Sequence, residues 1–135
     1  METLYAQPGA VGLAAVQVGQ ALRVLVLDDS ARTTRDRLRV MVNPVLESAS
    51  QWKYGREGCL SFPDWLVTVK RARRVAASWL TVEGEPRAAE LRDFEAVIFQ
   101  HELDHLDGIL FIDRMRDPTR DFSLRSGPPA APDTP

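Results

Sequence analysis

The sequence predicts a fold of several strands and one long buried helix. Three observations predict it. Between residues 93 and 108, Phe94, Val97, Ile98, His101 and His105 recur at helical spacing. Ahead of that stretch, short strand-like runs stand at 23–28, 38–46, 66–70, 75–82 and 87–91, the first of them rich in β-branched residues. Turn-forming Gly, Pro and Asn residues punctuate the chain around them.

In chain order, residues 1–7 read as the last turns of a helix, ended by Pro8 and Gly9. Residues 10–17 read as a tight loop leading into a strand. Their small side chains let another backbone come close, and Gly12 places nothing in its way. Gln17 offers an amide donor. This is not a phosphate loop, because it lacks the Gly-Lys-Ser/Thr ending and its glycines do not fit a dinucleotide fingerprint. Residues 23–28 form a buried strand and 29–37 a polar loop. The next strand, 38–46, is interrupted at Asn43-Pro44, where proline suits a bulge or an edge. Residues 48–54 continue the sheet irregularly.

Two further strands, 66–70 and 75–82, flank a basic cluster at 70–74 that reads as a solvated turn. Residues 83–86 are a turn and 87–91 a short strand. The helix follows, with Asp93 as N-cap, Glu95 supplying negative charge to its first turn, and Gly108 as its stop. Apolar residues 96–99 surround its axis, which buries it. The apolar run 109–112 is expected to pack back on the core. Residues 116–135 are polar and Pro-rich, a composition that does not build a core, so they are expected to be a disordered tail behind a single domain of residues 1–115.

Composition excludes several classes. A chain of 135 residues makes one domain, and 44% hydrophobic with 27% charged residues is ordinary for a soluble globular protein. A net charge of −2 argues against a general nucleic-acid binder, DNA included. No apolar run approaches the ~18 residues of a membrane span. The start lacks the basic-then-apolar pattern of a signal peptide. The single cysteine, Cys59, rules out an intramolecular disulfide and fits a reducing compartment without proving one; the location expected is cytoplasmic.

The chemistry concentrates in Gln100-His101-Glu102-Leu103-Asp104-His105, which contains both histidines of the chain. Four residues apart on a helix, they lie one turn apart on one face and can grip a single metal ion. Glu102, beside the first, can act as a base on a metal-bound water. Two ordinary core histidines are the plainer reading, and the glutamate in place weighs against it. A lone cysteine is most often a small buried hydrophobe. A catalytic divalent site, however, needs a third protein ligand and an open position for water. Whether Cys59 supplies that ligand depends on folding, since spacing alone does not establish it.

Three stretches now stand in order: Val11-Gly12-Leu13-Ala14-Ala15-Val16-Gln17, Glu57-Gly58-Cys59-Leu60-Ser61 and the histidine motif. Together they closely resemble the peptide deformylases, over roughly residues 1–115. The resemblance implies an α+β fold of antiparallel β-sheets packed around a central metal-binding helix. It makes Cys59, His101 and His105 the ligands of one divalent ion, Fe2+ first, with Zn2+ or Ni2+ also able to occupy the site. Glu102 becomes the general acid/base. Gln17 and the backbone N–H of Leu60 face the carbonyl oxygen under attack. Val11 and Gly12 line a groove where a peptide lies as an added strand, and Glu57 pairs with Arg71. The implied activity is removal of the N-formyl group from N-formylmethionine of newly made polypeptides. The implied partners are N-formylmethionyl peptides and, transiently, the ribosome, with no membrane.

The chain departs from the family pattern at three places. Ala10 stands where the family usually has a glycine, and the methyl would narrow the groove. A helical segment normally precedes the point aligned with Met1, so its absence would expose apolar surface. The usual C-terminal helix gives way to the Pro-rich tail, which removes one route to the ribosome. Two alternatives therefore stand beside the leading reading. One is a deformylase-like amidase for another N-formyl substrate, motivated by Ala10. The other is a metal-stabilised binding protein without turnover, against which Glu102 and Gln17 argue, since neither is needed to hold a metal.

Overall fold

The computed structural model describes residues 2–6, 10–59, 62–109, 114 and 122–124. In chain order they form α1 (Glu2–Ala6), β1 (Gly12–Ala14), a 3-10 turn (Ala15–Val18), β2 (Val24–Leu27), β3 (Arg39–Cys59), β4 (Phe62–Leu80), β5 (Pro86–Arg92), α2 (Asp93–Leu106) and β6 (Phe122–Leu124). All six strands belong to one antiparallel sheet in the order β1-β2-β3-β4-β5, with β6 beside β4. The α+β architecture expected of the sequence is the one observed.

The strands follow from alternation. In β2, Leu25 and Leu27 are fully buried while Val24 and Val26 are half-buried. The interruption expected at Asn43-Pro44 is a bulge within a continuous strand. Register slips between Val42 and Val45, and Asn43 takes a left-handed φ of 50° that asparagine tolerates. A second slip at Leu46/Ser48 and a φ of 59° at Gln51 account for the irregular continuation.

The basic cluster requires a correction. Residues 70–74 are not a turn between two strands but the middle of the 19-residue β4. Lys70 and Arg74 face solvent, whereas Arg71 and Arg73 are buried on the same parity as Val67, Val69, Val75, Ala77 and Trp79. Buried acidic partners stabilise Arg71 there, a tertiary compensation that a local reading of charge does not anticipate. The tail also needs amending. Residues 122–124 pair with β4, so disorder does not extend through them. Sheet-edge hydrogen bonds order a strand without requiring an apolar composition. The apolar residues 110–112 lie outside the described residues.

Helix α2 starts at Asp93, which has a φ of 52°, with Arg92 in the N-cap position and no side-chain cap bond. The expected cap is thus one residue displaced. The stop is as expected: Gly108 takes a φ of 75° and its N–H donates to the His105 carbonyl. Residues 95 to 102 of α2 are all buried, so the helix is enclosed rather than amphipathic. Ala96, Ile98 and Phe99 join Leu25, Leu27, Met41, Val75, Ala77, Trp79 and Leu91 of the sheet in one core. Each fully buried large side chain contributes about 1.5–3 kcal/mol. Gln100 ties helix to sheet through polar bonds. Its Oε1 accepts from the Ala72 N–H at 2.9 Å and its Nε2 donates to the Ala72 carbonyl at 2.6 Å. At the other end of the chain, α1 buries Leu4 and its Tyr5 hydroxyl donates to Asp28 Oδ2 at 2.6 Å.

Candidate metal centre

The end of β3 delivers Cys59 against α2. Its Sγ lies 3.1 Å from His105 Nε2, which lies 3.1 Å from His101 Nε2. All three donor atoms fall within 4.8 Å of one another. A tetrahedral ion with bonds of 2.0–2.3 Å would hold such atoms about 3.3–3.8 Å apart. One thiol and two imidazole nitrogens at these spacings therefore fit a single divalent ion, and the gap in sequence between Cys59 and the histidines is closed by the fold.

Each donor is aimed by its surroundings. His101 Nδ1–H donates to Glu57 Oε1 at 2.8 Å, which leaves Nε2 toward the cluster. Glu57 in turn receives a two-point contact from Arg71, Nε to Oε2 at 2.9 Å and Nη2 to Oε1 at 3.1 Å. The Glu57–Arg71 pairing expected from the sequence is present. Burial pushes the Glu57 carboxyl up, but the Arg71 charge and the His101 hydrogen bond outweigh it and bring its pKa down to about 2. Burial alone would lower His101. The hydrogen bond to Cys59 and the carboxylates of Glu57 and Glu102 instead raise it to about 10.

Glu102 follows His101 on α2 and is buried. Its Oε1 has no hydrogen-bond partner among the described residues. Burial raises its pKa to about 7 against the opposing pull of His101 and His105. A carboxyl poised there can hold or release a proton near neutral pH. Gly12 of β1 packs directly on it.

Gln17 reaches the same point from the 3-10 turn. Its Oε1 accepts from the Ala14 N–H at 2.8 Å, so the amide is oriented, and its Nε2 lies 3.9 Å from Cys59 Sγ. Val11 and Gly12 lie beside the site at β1, which among the described residues has a strand, β2, on one side only. Leu60 falls outside the described residues. Two polar residues of the motif carry no role in the sequence reading. One is Gln100, the helix anchor. The other is Asp104, which accepts from Arg71 Nη1 at 2.6 Å and from Arg114 at 2.9 and 3.1 Å. Asp104 stands three residues after His101 on the same helix, and its arginine partners lie on β4 and beyond the helix, so local spacing does not reveal the contact.

Two histidines on a sheet-flanked helix, Cys59 at the end of β3 and a buried carboxylate beside them make an arrangement suited to metal-dependent hydrolysis in an α+β fold. The comparisons agree with that class. The model of the polypeptide deformylase family matches residues 1–121. Peptide deformylase of Aquifex aeolicus is 44% identical over 125 residues, covering 91% of this chain and 73% of that protein. Peptide deformylase 2 of Vibrio cholerae is 45% identical over 113 residues, 84% of this chain and 66% of its own length. Among solved structures, the Thermotoga maritima peptide deformylase superposes with a TM-score of 0.78 at 37% identity, covering 86% of this chain and 76% of the other. That of Thermus thermophilus gives 0.79 at 41% identity, with 88% and 69% covered. This chain belongs to the polypeptide deformylase family, and it spans about two thirds of the length of the curated relatives it matches.

Proposed function

We propose that this chain hydrolyses the formamide of N-formylmethionyl peptides at the start of newly made polypeptides, with Cys59, His101 and His105 holding one divalent metal ion. The observation that carries the reading is the convergence of Sγ and two Nε2 atoms beside the buried, unpaired carboxylate oxygen of Glu102. Fe2+ is the ion proposed, and the same mixed donor set is compatible with Zn2+ or Ni2+. When bound, the ion would acidify a water and polarise the formyl carbonyl.

The chain's own residues supply the rest. Gln17 directs its N–H2 toward the site, where it would donate to the oxygen that gains charge during attack. The backbone N–H of Leu60 is proposed as a second donor on family resemblance alone. Glu102 would take a proton from water and deliver it to the departing amine, a role suited to its pKa of about 7. The edge of β1 at Val11 and Gly12 would hold the peptide by strand addition. Residues 1–115 form the catalytic domain in this proposal. Location in the cytoplasm and transient contact with the ribosome belong to the same reading, since that is where such termini emerge. Among the described residues no helix is long and apolar enough to cross a membrane.

The test is turnover of a formyl-Met peptide by the metal-loaded chain and by Glu102→Gln. The variant should keep the metal and lose at least about a hundredfold in rate, the low end for a positioned acid/base. Near-normal turnover in the metal-loaded variant would overturn the mechanism.

A further inference from the structure

We propose that Arg114 is a positioning residue of the metal centre, acting from the protein surface through a line of alternating charges. The inference rests on the functional reading above for the identity of the ligands. Five residues carry it. The guanidinium of Arg114 makes a two-point contact with Asp104, Nε to Oδ2 at 3.1 Å and Nη2 to Oδ1 at 2.9 Å. Asp104 also accepts from Arg71 Nη1 at 2.6 Å. Arg71 places its remaining fork on Glu57, and Glu57 accepts from His101 Nδ1.

The charge arithmetic gives Arg114 its role. Behind a neutral, metal-ligating His101 stand two carboxylates, Glu57 and Asp104, and one buried cation, Arg71. Arg114 is the second cation, and it completes the balance. Ion pairs at a surface are usually weak because both partners are solvated. Here only Arg114 is open, with its side chain 45% exposed against 10% for Asp104 and 5% for Arg71. Without Arg114, Asp104 would have Arg71 as its one cationic partner among the described residues. Arg71 serves both carboxylates, so a stronger pull by Asp104 draws its fork from Glu57, and Glu57 is what orients His101. Groups that orient a metal-bound histidine typically alter metal affinity or rate by about 10- to 100-fold when removed.

The unaltered chain, Arg114→Ala and Arg114→Lys would be compared after loading with Co2+. The visible absorption of the bound ion, its affinity by chelator competition, and kcat and KM would be recorded. Both variants should shift the Co2+ spectrum in the same sense and bind the ion more weakly, by about tenfold or more for alanine and less for lysine, which keeps the charge but loses the fork. The rate loss should fall on kcat, with KM unchanged. Unaltered spectra and affinities in both variants would overturn the proposal, even if the melting temperature fell, because Arg114 would then be only a structural tie. Spectrum and affinity do not require turnover. An unaltered chain that binds Co2+ but does not deformylate would therefore count against the proposed activity and leave the Arg114 comparison decisive.

Discussion

Gly12 and Glu102 are packed so closely that a Cβ on Gly12 would lie 2.8 Å from Glu102 Oε2 and 2.6 Å from Ile98 Cγ2. Both contacts are with side chains of α2, so an added methyl must push aside Ile98 and Glu102 together. Gly12→Ala should therefore keep the metal yet lose activity steeply, with an overpacking cost of about 1–3 kcal/mol. Metal content, kcat and melting temperature measured together check this. Full activity in Gly12→Ala would show that the contact relaxes without consequence.

Gln17 should matter to rate and not to metal. Its amide is oriented by Ala14 and lies outside the three donors. Gln17→Leu should bind one equivalent of metal and lose about 10²–10³ in kcat, the usual cost of removing one donor to a developing oxyanion. A loss of metal in this variant would reassign Gln17 to the support of Cys59.

Arg71 lies between two buried carboxylates, 2.9 Å from Glu57 and 2.6 Å from Asp104. Arg71→Met would leave both negative charges without their shared partner. Breaking a buried pair in this way costs about 3–5 kcal/mol. Denaturant midpoints should fall accordingly, and a change below about 1 kcal/mol would mean that water reaches and solvates the carboxylates.

Acid should unfold the chain through Glu57. Its carboxyl lies at about 2 in the fold against an ordinary value of 4.5. A carboxylate depressed on folding stabilises the native state above its unfolded pKa. That contribution fades as pH falls from about 4.5 toward 2, and it is on the order of 3 kcal/mol. In Glu57→Gln, the stability–pH curve should be flatter across that window. An unchanged slope would place the acid sensitivity in other carboxylates.

Metal entry should expel protons. His101 holds one in the metal-free site, with a pKa raised to about 10. At pH 7, addition of Zn2+ to the metal-free chain should release at least about one proton per ion, read by an indicator dye in weak buffer. Binding without proton release would show that the imidazole is already neutral.

The central helix was legible because its signals are local: spacing, a glycine stop and two histidines one turn apart. Cys59 was legible as a ligand only through the ordered trio of motifs, since nothing near it in sequence points to a histidine that lies beyond two whole strands, β4 and β5. The basic stretch in β4 misled because Arg71 and Arg73 occupy inward positions that charge alone assigns to solvent. What places Arg71 there is the pair of carboxylates at Glu57 and Asp104, one on another strand and one on the helix. Asp93 was displaced by one residue because β5 runs straight into α2, so strand geometry at Arg92 takes the capping position. Gly12 was singled out for allowing a close backbone approach, whereas the groups that approach it are the side chains of Ile98 and Glu102.

Gln100 makes two hydrogen bonds to the main chain of Ala72, on the stretch of β4 between the residues paired to β5 and those paired to β6. In effect its amide group impersonates one residue of a neighbouring strand. The helix is thereby indexed to the sheet like a gear tooth in a rack. A slip of one residue in either direction would break both bonds and strand two buried main-chain groups. His101 is the very next residue, so the height at which it is presented to Cys59 is set by the sheet's own ruler rather than by how tightly the apolar core happens to be filled. Core substitutions that preserve the Gln100 contact should alter how stable this protein is well before they alter where its histidines stand.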